Sequence, residues 1–168
     1  MIDYAKILSI LQALDTDYQT SMAAPDPEKP IIISKMALLE FCGWIEESVD
    51  LVLKDYIARK ISDPEISTGV TKLIDQNYGF RYKENLFRLF LITLGASNWE
   101  RIVGSLTDSD VSTLKGICTT YSRKRNDAAH TYVLTGVTAT YNAPSLIIAD
   151  YNKMKPIFQT IESKIAIL

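Results

Sequence analysis

Residues 38–57 read LLEFCGWIEESVDLVLKDYI, and this stretch decides the fold class. Its apolar side chains recur at intervals of three and four residues, which is the period of an α-helix. The apolar stripe consists of Leu38, Phe41, Ile45, Val49, Val52 and Tyr56, widened by Cys42, Leu53 and Ile57. An apolar face of this width predicts a central helix that is buried on most of its circumference.

Helices are predicted on both sides of this segment. Ser34 is the expected N-cap of the central helix, which ends near Arg59, and the prolines of residues 25–30 predict a linker before it. An amphipathic helix over residues 2–14, or slightly beyond, precedes that linker.

Shorter elements are expected after the central helix. Asp63 is a suitable N-cap for a helix that ends near Asp75. Residues 82–94 predict a further helix, which Gly95 terminates, and a short turn follows at residues 99–103.

The last third of the chain predicts two long helices. The first begins at Thr107 or Asp108, and the second begins at Pro144, with Pro156 expected to kink it. Between them, residues 132–142 predict an irregular loop in preference to a short hairpin. The pattern as a whole predicts an all-α bundle of about five to six helices.

Composition describes one ordinary globular domain spanning residues 1–168. The net charge of −2 argues against a protein that coats nucleic acid through a broad basic field. The chain has neither a signal-like N-terminus nor an apolar run near the roughly 18 residues of a membrane span, so a cytoplasmic location is expected. Cys42 and Cys118 show no CxxC spacing and are expected to be reduced, buried thiols.

A charged residue interrupts the apolar stripe of the helix that begins near Thr107. Val111, Leu114, Cys118 and Tyr121 define that stripe, and its next position is Arg125. A guanidinium there must meet a carboxylate, a partner subunit or a bound anion, because burying it unpaired costs several kcal/mol. Alternatively, the core ends at Tyr121 and Arg125 faces water.

His130 is the only histidine of the chain, which excludes a histidine-rich metal site within one subunit. On a regular helix Asn126 and His130 share a flank, whereas Arg125 and His130 diverge by about 140°. Arg125 and His130 therefore meet only if the helix loosens near His130 or if a two-fold dimer brings two copies together.

A histidine and an arginine at one site suit RNA cleavage. The histidine can activate a ribose 2′-hydroxyl for attack on the neighbouring phosphate, leaving a 2′,3′-cyclic end without a metal or cofactor, while the arginine holds phosphate charge. Arg123 and Lys124 extend the cationic cluster and are candidate substrate-binding residues; alternatively they only solvate the helix end.

Residues 125–130, RNDAAH, resemble the R-x(4-6)-H signature of HEPN domains. Residues 87–95 followed by Trp99, and the Asn-Ala-Pro opening of the last helix, resemble the RiboL-PSP and related HEPN groups over about residues 34–166. Thr131 stands where glycine is common in that family. In this resemblance Arg125 and His130 match the catalytic pair, and Asn126 matches the polar residue beside it.

The resemblance implies an up-and-down helical bundle, a homodimer with both motifs at its interface, and a metal-independent endoribonuclease. Such proteins often serve as toxins held by an antitoxin protein, or in phage defence. Two alternatives remain: a non-catalytic binding module in which Arg125 pairs with Glu47 or Asp50, and a nucleotide-binding accessory to a nucleotidyltransferase.

Overall fold

The computed structural model of the chain describes residues 1–23, 25–131 and 141–168, which form helices and no β-strand. The helices are α1 (Tyr4–Met22), α2 (Glu28–Lys60), α3 (Pro64–Asp75), α4 (Phe87–Leu94), α5 (Ala96–Val103), α6 (Asp108–His130) and α7 (Pro144–Ala166). A π-helical turn, Tyr82–Leu86, runs directly into α4. The predicted all-α class is confirmed. No helix in these ranges combines the length and the apolar character that a membrane span needs.

Helix α2 is the centre of the bundle, as its apolar width predicts. It packs against α1, α3, α6 and α7 and touches α4. Phe41, Ile45 and Leu53 on this helix are completely buried. The Phe41 ring meets the Tyr121 ring of α6 edge to face, with centroids 4.8 Å apart, so the same core fixes α6 against α2.

The start of α2 differs from the prediction. The helix begins at Glu28, so Ser34 lies inside it and is buried, and the assignment of Ser34 as the N-cap was wrong. The side chain that satisfies the first N–H of α2 is that of Asp26, because its Oδ1 accepts a hydrogen bond from the backbone N–H of Glu28 at 3.0 Å. Pro30 is tolerated because the first turn of a helix does not use its N–H groups.

Helix α1 is also longer than predicted, since it continues to Met22. Leu14, at the predicted end, lies against the core, and Tyr18, one turn further on, is half-buried, so the apolar face continues. Apolar contact of this kind stabilises a helix more than local propensity does.

The elements after α2 follow the prediction closely, with one addition. The side chain of Asp63 accepts from the N–H groups of Glu65 and Ile66, each at 2.9 Å, and so caps α3. Gly95 ends α4 with a φ of +80°. Helix α5 is a complete helix where only a turn was expected, because buried Trp99 stacks on Phe90 with ring centroids 4.2 Å apart. The described residues therefore form seven helices, not five to six.

The two long C-terminal helices begin where they were predicted. Thr107 and Asp110 form a reciprocal capping box at the start of α6. Helix α7 begins at Pro144 and continues through Pro156 without stopping. The loop predicted at residues 132–142 lies outside the described residues except for Tyr141 and Asn142, which are not helical.

Both cysteines are free and buried, as expected. Burial raises the pKa of the Cys42 thiol to about 12 and raises that of Cys118 as well. Neither side chain is therefore a reactive thiolate at neutral pH.

Candidate functional site at the end of α6

Arg125 lies between α6 and α2 and is bound by a carboxylate. Its Nη2 donates to Oε2 of Glu46 at 3.1 Å. The side chains of Arg125 and Glu46 remain 35% and 24% exposed, so the pair stands at the edge of the core and is not sealed inside it. The sequence left four alternatives for this guanidinium: a carboxylate, a partner subunit, a bound anion or water. The structure shows the first of them, a carboxylate of the same chain. That carboxylate is Glu46, and the alternatives Glu47 and Asp50 were wrong.

Glu46 is the residue that the sequence interpretation missed, although a signal was present. Cys42, Glu46, Val49 and Leu53 follow intervals of four, three and four, so Glu46 occupies a position on the widened apolar stripe of α2. Arg125 interrupts the stripe of α6 in the same way. Two opposite charges that each interrupt a buried stripe predict an ion pair between the two helices, because neither can be buried alone.

Glu46, the partner of Arg125, is close enough to Asp50 for their two charges to interact. Burial raises the pKa of Glu46, while the charge of Arg125 and the backbone N–H of Gly79 act in the opposite direction. Burial also raises the pKa of Asp50 to about 6, against the opposing influence of Lys54. An anion approaching Arg125 therefore competes with a carboxylate that already holds it.

His130 is the last residue of α6 and is exposed. The helix is continuous to this residue, so the first of the two alternatives, a loosening of α6 near His130, is not present. On a continuous helix Arg125 and His130 diverge by about 140°. One protomer therefore does not direct both side chains at a single small target, and convergence across a dimer stays a prediction.

His130 lines an open groove of about 670 Å³ between the start of α2 and the end of α6. The other lining residues are Glu28, Ile32, Lys35, Met36, Leu39, Ala129 and Thr131. Nζ of Lys35 donates to the carbonyl oxygen of Thr131 at 2.7 Å, which places its positive charge at the negative end of α6. Sequence reasoning did not identify Lys35, because only the tertiary fold brings it to His130.

The remaining predicted residues separate into two groups. Asn126 and Arg123 are exposed on α6. Lys124 is half-buried: its Nζ donates to Oδ1 of Asn142 at 3.0 Å and lies 5.8 Å from the centre of the Tyr121 ring. Lys124 therefore connects α6 to the residues before α7, whereas Arg123 and Asn126 face solvent.

A comparison of the chain with protein-family models, with curated proteins and with solved structures finds no match in any of the three. Membership of the HEPN domains therefore stays a prediction from this chain's own residues, of which RNDAAH at 125–130 is the most distinctive stretch. Within residues 1–23, 25–131 and 141–168, no group of three or more His, Cys, Asp or Glu side chains is arranged to hold a metal ion.

Proposed function

We propose that this protein is a metal-independent endoribonuclease whose general base is His130. The observation that carries the proposal is the placement of the sole imidazole: it is exposed, at a helix end, in an open groove that also contains Lys35. Imidazole is the side chain best suited to proton transfer near neutral pH. An exposed groove admits a polymer, which a closed pocket would not.

The reaction balances without a co-reactant. His130 takes the proton of a ribose 2′-hydroxyl, and the 2′-oxygen forms a bond to the adjacent phosphorus. The bond from phosphorus to the 5′-oxygen breaks, and that oxygen takes up a proton from solvent, which in turn receives the proton that His130 accepted. The products are a 2′,3′-cyclic phosphate and a free 5′-hydroxyl. DNA lacks the attacking hydroxyl and would not be cleaved.

In this proposal the arginine that binds the scissile phosphate, Arg125, comes from a second copy of the chain. In a two-fold dimer the α6 ends of both protomers can face one groove, so that Arg125 of one protomer serves the His130 of the other. Arg125 keeps its Glu46 partner through Nη2 in this arrangement, so a phosphate would be bound by the other guanidinium N–H groups, against the competition of that carboxylate. Asn126 would support the pair, as the HEPN resemblance implies.

The same resemblance supports a biological role. We propose that the nuclease is the effector of a toxin–antitoxin or phage-defence system, restrained by an antitoxin protein and acting in the cytoplasm. An unrestrained ribonuclease would inhibit growth, so expression with and without His130→Ala tests this role. Equal growth under both conditions would contradict it.

The decisive experiment is incubation of the purified protein with RNA in excess chelator, followed by analysis of the new termini. We expect cyclic-phosphate ends from the wild type, and a loss of at least about a hundredfold in rate for His130→Ala. Because His130 is exposed, the variant should keep the wild-type melting temperature. Undiminished cleavage by His130→Ala, or no cleavage by the wild type, would refute the assignment.

A separate measurement tests the dimer. Light scattering coupled to size exclusion should give twice the mass of 18.9 kDa at micromolar protein. A monomer that still cleaves RNA would remove Arg125 from the reaction while leaving His130 as its base.

The ion pair favours a second candidate, a non-catalytic helical binding module. In that case Arg125 serves only to hold α6 on α2 through Glu46. The wild type would then show no cleavage, and Arg125→Ala would lower thermal stability without altering any activity.

A further inference from the structure

A second arginine lies on the same side of α6 as His130. Arg123 and His130 are both exposed and are separated by seven positions. On a continuous helix this spacing places them within about 20° of each other and about 10 Å apart along the axis. Asn126 is exposed between them. Arg125, in contrast, diverges from His130 and is bound to Glu46.

The other cations near this face are already engaged. Lys124 donates to Asn142, and Lys35 donates to the carbonyl oxygen of Thr131. Arg123 forms no ion pair with the part of the chain that the structure describes. Its guanidinium is therefore available for a ligand that approaches His130 along α6.

We propose that Arg123 binds the RNA backbone phosphate adjacent to the one that is cleaved; this inference rests on the proposed ribonuclease function. The offset of about 10 Å along α6 between Arg123 and His130 is greater than the width of one phosphate group. When His130 is at the scissile phosphate, Arg123 therefore reaches the neighbouring phosphate of the same strand. A planar guanidinium donates two parallel hydrogen bonds to phosphate oxygens. The substrate is accordingly a strand with at least two consecutive phosphates, aligned with α6.

A carboxylate adjoins this face and limits its affinity. Asp127 is exposed and follows Asn126 directly. Its negative charge repels phosphate, so the contact made by Arg123 is opposed locally and strong binding is not expected.

Binding can be measured without cleavage. An oligonucleotide with 2′-O-methyl groups lacks the nucleophile, so fluorescence anisotropy reports its affinity alone. We expect Arg123→Ala to weaken binding about tenfold, Arg123→Lys to recover part of the loss, and the salt-dependence slope to fall by about 0.7. The matched control is Arg101→Ala, which removes an exposed arginine from α5 and should leave affinity unchanged.

Cleavage distinguishes the adjacent phosphate from the scissile one. For an oligonucleotide, Arg123→Ala should raise KM about tenfold and change kcat by less than about twofold. For a dinucleoside monophosphate, which has only the scissile phosphate, the variant should behave as the wild type. Equal losses on both substrates, or unchanged oligonucleotide affinity, would overturn the inference. If the wild type cleaves neither substrate, the ribonuclease proposal fails, and the anisotropy measurement still decides whether Arg123 contacts the RNA backbone.

Discussion

Removing the charge of Arg125 should destabilise the bundle measurably. At about 4 Å, two opposite charges attract by about 4 kcal/mol at an effective dielectric of about 20, and by about 1 kcal/mol in water. The Arg125 and Glu46 side chains are 35% and 24% exposed, so the pair lies between these limits. We expect a coupling energy of about 2 kcal/mol between the two side chains.

A double-mutant cycle measures that coupling. Arg125→Met leaves a half-buried carboxylate without its partner and should cost about 2–3 kcal/mol at pH 7.5. Glu46→Leu should cost less, because the longer arginine can turn toward water. The combination Glu46→Leu/Arg125→Met should lie within about 1 kcal/mol of the wild type, since replacing both charges removes the need for compensation.

Urea unfolding followed by circular dichroism provides the free energies, and thermal scans should show a fall of about 5–10 °C for Arg125→Met. The variant also has a pH signature. Burial raises the pKa of Glu46 and the charge of Arg125 opposes that rise, so in Arg125→Met the pKa rises further and the carboxylate protonates as the pH falls. The deficit should therefore be largest above pH 7 and shrink toward pH 4.5, while the double variant shows no such trend.

One result would refute this reasoning. If each single variant unfolds within about 0.5 kcal/mol of the wild type and their effects add, the two charges do not stabilise the bundle. The contact between α6 and α2 would then depend on apolar packing alone.

Three further predictions concern other parts of the fold. Burial raises the pKa of Asp50 from its ordinary value of 3.8 to about 6, so between these values the folded state retains a proton that the unfolded chain has lost. As the pH rises from 4 to 6.5, the free energy of unfolding of the wild type should therefore fall by about 1–2 kcal/mol relative to that of Asp50→Asn. If urea unfolding gives both proteins the same dependence of this free energy on pH, the prediction is contradicted. Gly95→Ala should lower the free energy of unfolding by about 1–2 kcal/mol, because its φ of +80° disfavours a side chain. Gly116→Ala should raise that free energy by about 0.5–1 kcal/mol, because alanine favours the helix and a Cβ there meets no other atom. Melting temperatures of the two variants that equal the wild-type value would exclude both effects. Asp63→Ala should cost about 1 kcal/mol through loss of the α3 cap, and unchanged urea unfolding would show that water replaces it.

Local sequence signals predicted most helix boundaries correctly where a cap or breaker was present. Asp63, Thr107, Gly95 and Pro144 mark helix ends in the structure as predicted. These residues act through hydrogen bonds and dihedral preferences that involve only near neighbours in the chain. The two misassigned boundaries have different causes: α1 continues past residue 14 because Leu14 packs on core residues from other helices, whereas α2 begins early because Asp26 accepts from its first N–H and Pro30 is tolerated in the first turn.

The candidate site divides in the same way. Sequence alone determined that His130 is the sole imidazole, that Arg125 interrupts an apolar stripe, and that the two diverge on a regular helix, because helical period is a local property. Only the tertiary structure decided that Glu46 binds Arg125, that Lys35 joins His130 in a groove, and that Arg123 stays exposed while Lys124 does not. These relations join residues on different helices, and which faces meet is set by the packing of the whole core, not by the period of any one segment.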